Sequence, residues 1–175
     1  GSTGYDWVIR AFQLARQYFS ASTKLILNEF SLLNSNDNTT TFLQIVNLLK
    51  SRGLIDGIGV QCHYFEVSNP NNAYMDANLD RLAATGLPIY ISEFEINVAD
   101  DQGQVDEYER IFPLLWDHPG VKGITLWGYI QGQIWQPDGY LIRSDGSERP
   151  ALEWLRSYLL KSGTFRSYQS GDWND

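Results

Sequence analysis

Residues 86–97 read GLPIYISEFEIN, and this stretch predicts the fold. A short apolar run, Leu87 to Ile91, follows a glycine, which is typical of a buried strand in a parallel sheet. Glu93 and Glu95 follow that run two residues apart, so both side chains are expected on one face of the strand. In (β/α) barrels, catalytic groups lie where strands end in this way. The alternative is a pair of solvated loop acids after a core strand.

Three further apolar segments resemble this one and also end in polar residues. They cover residues 24–30, 55–63 and 121–127. Patterns typical of helices lie before, between and after these segments, over residues 5–19, 41–52, 76–85, 104–118 and 150–160. Residues 34–40 and 67–73 have the composition of loops. Alternating strands and helices predict a parallel sheet of four strands. Such a sheet is either an open α/β domain or half of an eight-stranded barrel.

Composition excludes several classes of function. The chain has 175 residues and a formal net charge of −8, so it has no basic surface for nucleic acid. No apolar run is long enough to cross a membrane. Cys62 is the only cysteine, and the two histidines are far apart in sequence, so no disulfide, metal site or other cofactor is predicted. Aromatic residues make up 14% of the chain, a content that suits flat stacking surfaces for sugars or peptides.

Several of these segments resemble glycoside hydrolase family 10, the endo-β-1,4-xylanases. The matching motifs, in chain order, are KLILNEF (24–30), DGIGVQCH (56–63), IYISEFEI (89–96), GITLWG (123–128) with Trp135 following, and RPAL (149–152). The resemblance implies the C-terminal half of a (β/α)8 TIM barrel, that is, strands 5–8 and their helices. The expected division is a vector remnant or linker at 1–4, the half barrel at 5–161 and a polar tail at 162–175.

The resemblance also implies a retaining mechanism on xylan. Glu93 falls on the family's nucleophile, and His63 and Glu95 fall on its orienting partners, although the family usually has Asp at the position of Glu95. The family's acid/base lies at the end of the fourth strand, so it is expected outside this chain. Glu29 follows an asparagine, as that acid/base does, and is therefore a candidate for it. However, Glu29 precedes Glu93 by two βα units rather than three, which favours a place on the leaving-group side of the cleft or at the barrel rim.

Four further residues are expected to contact the sugar. Gln61 matches a family glutamine near the reacting sugar, and Asn28 lies at the end of the first strand. Trp127 and Trp135 match two tryptophans that wall the sugar subsite next to the scissile bond. The loop between these tryptophans departs from the family pattern, and core packing is the alternative role for both.

The expected partners are xylan or xylo-oligosaccharides, together with a companion chain carrying the first half of the barrel or a second copy of this chain. A polymeric substrate implies a secreted, periplasmic or cell-surface protein. Two alternatives stay open: a non-catalytic carbohydrate-binding or scaffold fragment, and another retaining β-glycanase.

Overall fold

A four-stranded parallel sheet forms the centre of the molecule. The structure, a computed structural model, describes residues 2–161, so the predicted tail at 162–175 lies outside the described residues. The strands are β1 (Ile26–Glu29), β2 (Gly57–Val60), β3 (Ile89–Phe94) and β4 (Val121–Leu126). The helices are α1 (Asp6–Tyr18), α2 (Asn36–Lys50), α3 (Tyr64–Val67), α4 (Asn72–Ala83), α5 (Asp101–Trp116) and α6 (Pro150–Lys161).

The strands lie in the sheet in the order in which they occur in the chain, β1-β2-β3-β4. Doubly wound open sheets reverse their strand order at one point, whereas a barrel adds each strand next to the previous one. The observed order is therefore that of consecutive βα units of a barrel.

One face of the sheet packs against the helices and the other is largely bare. Ile58, Val60, Ile89 and Ile91 are fully buried in the helix-facing core. Tyr90, which alternates with the two buried isoleucines of β3, is 36% exposed. Among the described residues, β1 pairs only with β2 and β4 only with β3, so the sheet keeps two unpaired edges.

Helices α2, α4 and α5 begin earlier than the sequence patterns predicted. Residues 34–40 were predicted as a turn region, but α2 begins at Asn36 because the Ser35 hydroxyl accepts a hydrogen bond from the Asn38 N–H. Asn71 and Asp100 cap α4 and α5 in the same way. Asn, Asp and Ser favour loops and helix N-termini alike, so composition alone did not distinguish the two.

No helix within residues 2–161 combines the length and apolar character needed to cross a membrane.

Candidate active site

The predicted site residues lie at the carboxyl ends of the four parallel strands, which share one edge of the sheet. Asn28 lies on β1, Gln61 follows β2, Glu93 lies on β3, and Trp127 follows β4. Because every strand runs in the same direction, these polar ends meet at one mouth. The architecture therefore brings these predicted residues to one edge of the sheet.

His63 is the residue on which the two glutamates converge. Its Nδ1 lies 2.7 Å from Oε2 of Glu95, and its Nε2 lies 3.2 Å from Oε2 of Glu93. The imidazole is nearly buried, with only 4% of the residue exposed. A carboxylate oxygen faces each ring nitrogen, so the ring orientation is fixed from both sides.

The backbone turns sharply just before His63. Cys62 has a φ of 61°, in the left-handed region that a residue with a Cβ seldom adopts. Strain of this kind persists only where the surrounding structure holds it, and it often occurs beside functional groups. Here the turn ends strand β2 and places His63 at the N-terminus of the short helix α3. Burial raises the pKa of the Cys62 thiol, which favours the neutral thiol.

Glu66 holds this turn in place and was not identified from the sequence. Its side chain is buried, and its Oε1 accepts a hydrogen bond from the His63 N–H at 3.2 Å. Its Oε2 accepts one from the N–H of Ser31, in the loop after β1, where φ is 53°. One carboxylate therefore joins the loops that follow β1 and β2. Burial raises the pKa of Glu66, although these backbone hydrogen bonds lower it.

Replacement of Glu66 by glutamine should destabilise the protein by about 1–3 kcal/mol, measured by urea unfolding at neutral pH. A carboxylate accepts hydrogen bonds at both oxygens, whereas an amide would turn an NH2 group towards one of the two backbone N–H groups. The matched control is Glu109→Gln on α5, which makes the same chemical change at an exposed position. Its expected effect on the free energy of unfolding is below about 0.5 kcal/mol. Equal stability of the two variants would contradict this role for Glu66.

Glu95 is almost completely buried, with 1% of the residue exposed. Besides His63, it receives a hydrogen bond from the Tyr64 N–H to Oε1 at 3.3 Å, and the Trp135 side chain also hydrogen-bonds to it. Burial raises the pKa of Glu95 and outweighs these hydrogen bonds, each of which lowers it.

Glu93 is also held from strand β1. The Asn28 amide donates from Nδ2 to Oε1 of Glu93 at 2.9 Å, and the Ser92 hydroxyl donates to Oδ1 of Asn28 at 2.6 Å. These contacts cross β2, which lies between β1 and β3. They are possible because the residue of β2 opposite Asn28 is Gly59. A Cβ at Gly59 would lie 2.4 Å from Oδ1 of Asn28.

We therefore expect Gly59→Ala to displace Asn28 and to destabilise the protein by about 1–3 kcal/mol, as overpacking does elsewhere. Gly123→Ala on β4 is the matched control, because a Cβ there would meet only Tyr90, at an ordinary 3.6 Å. Chemical denaturation of both variants measures the difference. A Gly59→Ala protein as stable as Gly123→Ala would show that the close approach of Asn28 is not required.

Aromatic rings surround His63 on the open side of the site. The Trp135 ring meets His63 edge-on at 4.9 Å between centroids, and the Trp127 ring does so at 6.3 Å. Both tryptophans are about half exposed, so the core-packing alternative does not describe them. Phe65 stacks on His63 at 5.5 Å and is also half exposed. Sequence reasoning missed Phe65, although its position two residues after His63 was a signal.

Glu29 and Gln61 stand apart from the hydrogen-bond network around His63. The Glu29 carboxylate is exposed and accepts a hydrogen bond from the neighbouring Phe30 N–H at 2.8 Å. Gln61 extends the sheet through its backbone, since its N–H donates to Glu29 and its carbonyl accepts from the Glu93 N–H. Within residues 2–161 no three His, Cys, Asp or Glu side chains form a group able to hold a metal ion.

Comparison with known proteins gives the same family as the sequence motifs. The family model described as Glycosyl hydrolase family 10 matches residues 1–158. Endo-1,4-beta-xylanase B of Cellvibrio japonicus is 39% identical over 159 residues, which are 89% of this chain and 25% of that protein. Anti-sigma-I factor RsgI6 of Acetivibrio thermocellus is 28% identical over 163 residues, covering 92% of this chain and 21% of that protein.

Among solved structures, xylanase 10B from Thermotoga petrophila in complex with xylobiose is similar, with a TM-score of 0.77 and 26% identity. The alignment covers 91% of this chain and 53% of the xylanase chain. The chain thus spans about half of that structure and a quarter of the curated Cellvibrio relative. Together with the sequential strand order, this confirms the predicted C-terminal half of a (β/α)8 barrel rather than an open α/β domain.

Proposed function

Because the chain belongs to glycosyl hydrolase family 10, we propose that it contributes to hydrolysis of the xylan backbone by a retaining, two-carboxylate mechanism. The observation that carries this proposal is the contact of one buried histidine with both Glu93 and Glu95 at the strand ends. Relatives and structural neighbours named as xylanases supply the substrate class.

In this proposal Glu93 attacks the anomeric carbon and forms a covalent glycosyl-enzyme, which water then hydrolyses. His63 and Asn28 orient its carboxylate from two directions, and Glu95 fixes the His63 ring. Trp127 and Trp135 offer flat faces to the sugar, and Gln61 offers an amide at the same mouth. These hydrogen bonds keep the attacking oxygen in place before substrate arrives, which lowers the cost of reaching the transition state.

The second carboxyl must lie about 5–5.5 Å from Glu93 in a retaining enzyme. We propose that it is supplied by the first four strands of the barrel, outside residues 2–161. A companion chain or a second copy would also cover the exposed inner face at Tyr90 and pair with the two sheet edges. Glu29 is the competing candidate for the acid/base.

Because the proposed substrate is a polymer, we infer that the protein acts outside the cytosol.

Covalent trapping tests the role of Glu93. The reagent is a dinitrophenyl xylobioside in which fluorine replaces the hydroxyl beside the anomeric carbon. The electron-poor phenolate leaves without a proton from a general acid, and the fluorine slows the later hydrolysis, so the glycosyl-enzyme accumulates.

Intact mass spectrometry of the chain, together with any protein that copurifies, should show the added sugar, and peptide mapping should place it on Glu93. Label on another carboxylate, or no label in a sample that hydrolyses xylan, would contradict the proposal. The same spectra show whether a companion chain is present.

A non-catalytic carbohydrate-binding or scaffold role is the second candidate. The similarity to a protein named as an anti-sigma factor favours it, because that relative is named for a role other than hydrolysis. Binding of xylo-oligosaccharide without any trapping at Glu93 would support this candidate instead.

A further inference from the structure

The loop between β4 and α6 packs closely against Glu95. The residue at the point of contact is Gly139, where a Cβ would lie 3.1 Å from Cγ of Glu95 and 3.4 Å from its Cβ. The backbone can come this close only because Gly139 has no side chain. The same loop carries Trp135, whose side chain hydrogen-bonds to Glu95. The loop therefore contacts the acid that fixes the His63 ring.

Arg149 holds this loop on both sides of Gly139. The guanidinium is buried, and its Nη1 donates to the carbonyls of Asp138 and Tyr140 at 2.9 and 3.4 Å. Its Nη2 donates to the carbonyls of residues 98 and 99, in the segment after β3, at 2.9 and 3.1 Å. The planar guanidinium has donors in fixed directions, so it sets the spacing between the loop and that segment.

Gln104 of α5 holds the same two loop carbonyls. Its Nε2 donates to Asp138 and Tyr140 at 3.2 Å each, and to the Ile96 carbonyl at 3.0 Å. Ile96 directly follows Glu95 in the chain. A flipped amide would turn its oxygen towards three carbonyl oxygens, so the orientation of Gln104 is fixed. We refer to Arg149 and Gln104 together as the loop clamp.

We propose that the loop clamp holds Gly139 against Glu95 and thereby sets the orientation of the Glu95 carboxylate towards His63. Arg149 and Gln104 are then positioning residues that act through Glu95. Glu95 has one methylene more than the aspartate usual in the family, and the glycine leaves space beside that methylene. This inference rests on the proposed function, because the orientation of His63 serves the attack by Glu93.

Gly139→Ala tests the contact and leaves the hydrogen bonds of the loop clamp in place. The new methyl group would require Cγ of Glu95 to move by a few tenths of an ångström, whereas Cδ1 of Ile134, also 3.1 Å away, ends a flexible side chain. We expect kcat on a dinitrophenyl xylobioside to fall about 10-fold because the His63 ring is misplaced. KM should not change, since Glu95 does not touch the sugar in this proposal.

A second readout reports on His63 without any turnover. The chain contains two histidines, so the ring N–H signals of the nitrogen-15-labelled protein are few. The proton on His63 Nδ1 lies in the 2.7 Å contact with Glu95, and its chemical shift depends on the length of that hydrogen bond. Gly139→Ala should shift this signal.

Gln104→Met tests the loop clamp itself. Methionine is unbranched and fills a similar space, but it has no amide donor for the loop carbonyls. It also removes the buried Oε1 of Gln104, which has no hydrogen-bond partner within residues 2–161, so the loss of stability is limited. The His63 signal should shift and kcat should fall about 10-fold. The matched control is Gly123→Ala, where a Cβ would meet only Tyr90, at 3.6 Å, and both readouts should stay unchanged.

The outcomes separate this proposal from the proposed function. A His63 signal that stays in place in Gly139→Ala, or in folded Gln104→Met, would overturn the positioning role. Losses of kcat for Gly139→Ala and Glu95→Asp that multiply in the double variant would also overturn it, because residues that act through one contact are not independent. A parent protein without turnover would overturn the proposed function, whereas the His63 signals would still decide whether the loop clamp positions Glu95.

Discussion

Replacement of Glu93 by glutamine should lower kcat/KM on a dinitrophenyl xylobioside by at least about 10³-fold. An amide cannot attack the anomeric carbon, so the first step of the double displacement is lost. The change is nearly isosteric, and an amide oxygen can still accept the hydrogen bond that Asn28 donates to Glu93. We therefore expect folding stability to stay close to that of the parent protein, which separates loss of chemistry from loss of structure.

Glu93→Ala adds a sharper measurement. The shortened side chain leaves space on the face from which the carboxylate attacks, and added azide can enter there. Azide should restore release of dinitrophenolate and yield a xylobiosyl azide of inverted anomeric configuration, which NMR identifies. The exposed Glu109→Gln variant should retain full activity. A Glu93→Gln protein that keeps more than a tenth of the parent activity would exclude Glu93 as the nucleophile.

The second large effect is expected for Glu95→Gln, with kcat falling by about 10²-fold. Glu95 accepts the hydrogen bond from His63 Nδ1 at 2.7 Å, and glutamine could instead turn its NH2 group towards that nitrogen. The imidazole would then lose its fixed orientation opposite Glu93. Glu95→Asp, the residue usual in the family, keeps the charge and should retain activity within about tenfold of the parent protein.

The difference in stability between Glu95→Gln and the parent protein should depend on pH in a defined direction. Burial raises the pKa of Glu95 in the folded state above the ordinary value of 4.5, so the folded protein holds this proton more tightly than the unfolded chain. Ionisation of Glu95 therefore lowers the free energy of unfolding as pH rises from about 4.5 through the raised folded pKa. Glutamine cannot ionise and lacks this loss.

Urea unfolding of both proteins at several pH values measures this difference. The stability of Glu95→Gln relative to the parent should increase from acid to neutral pH, while its activity stays low at every pH. The opposite slope would mean that the hydrogen bonds from His63, Tyr64 and Trp135 outweigh the cost of burial.

Sequence reasoning predicted the parts of the site that depend on strand ends. Glu93, His63 and Glu95 lie together because Glu93 is near the end of β3, Glu95 follows β3 and His63 follows β2, and strand ends of a parallel sheet share one edge. Glu66 and Phe65 were missed because their roles depend on the short helix α3, whose four residues carry no periodic pattern. The contact of Asn28 with Glu93 joins β1 to β3 across β2 and could not be predicted from residue spacing.

Strand order has a consequence for how the chain folds. Within residues 2–161 each strand pairs only with its neighbours in sequence, so the pairing of β1 with β2 does not require β3 or β4. Each pairing must first close a loop that contains a helix, which makes a parallel sheet slow to form, but the loop-closure entropy is incurred one βα unit at a time. The βα units can therefore assemble one after another as they leave the ribosome, with β1 and β2 paired before β4 has been synthesised. Glu93 lies on β3 and Glu95 directly follows it. His63 therefore acquires its two carboxylate partners only after β3 has paired with β2.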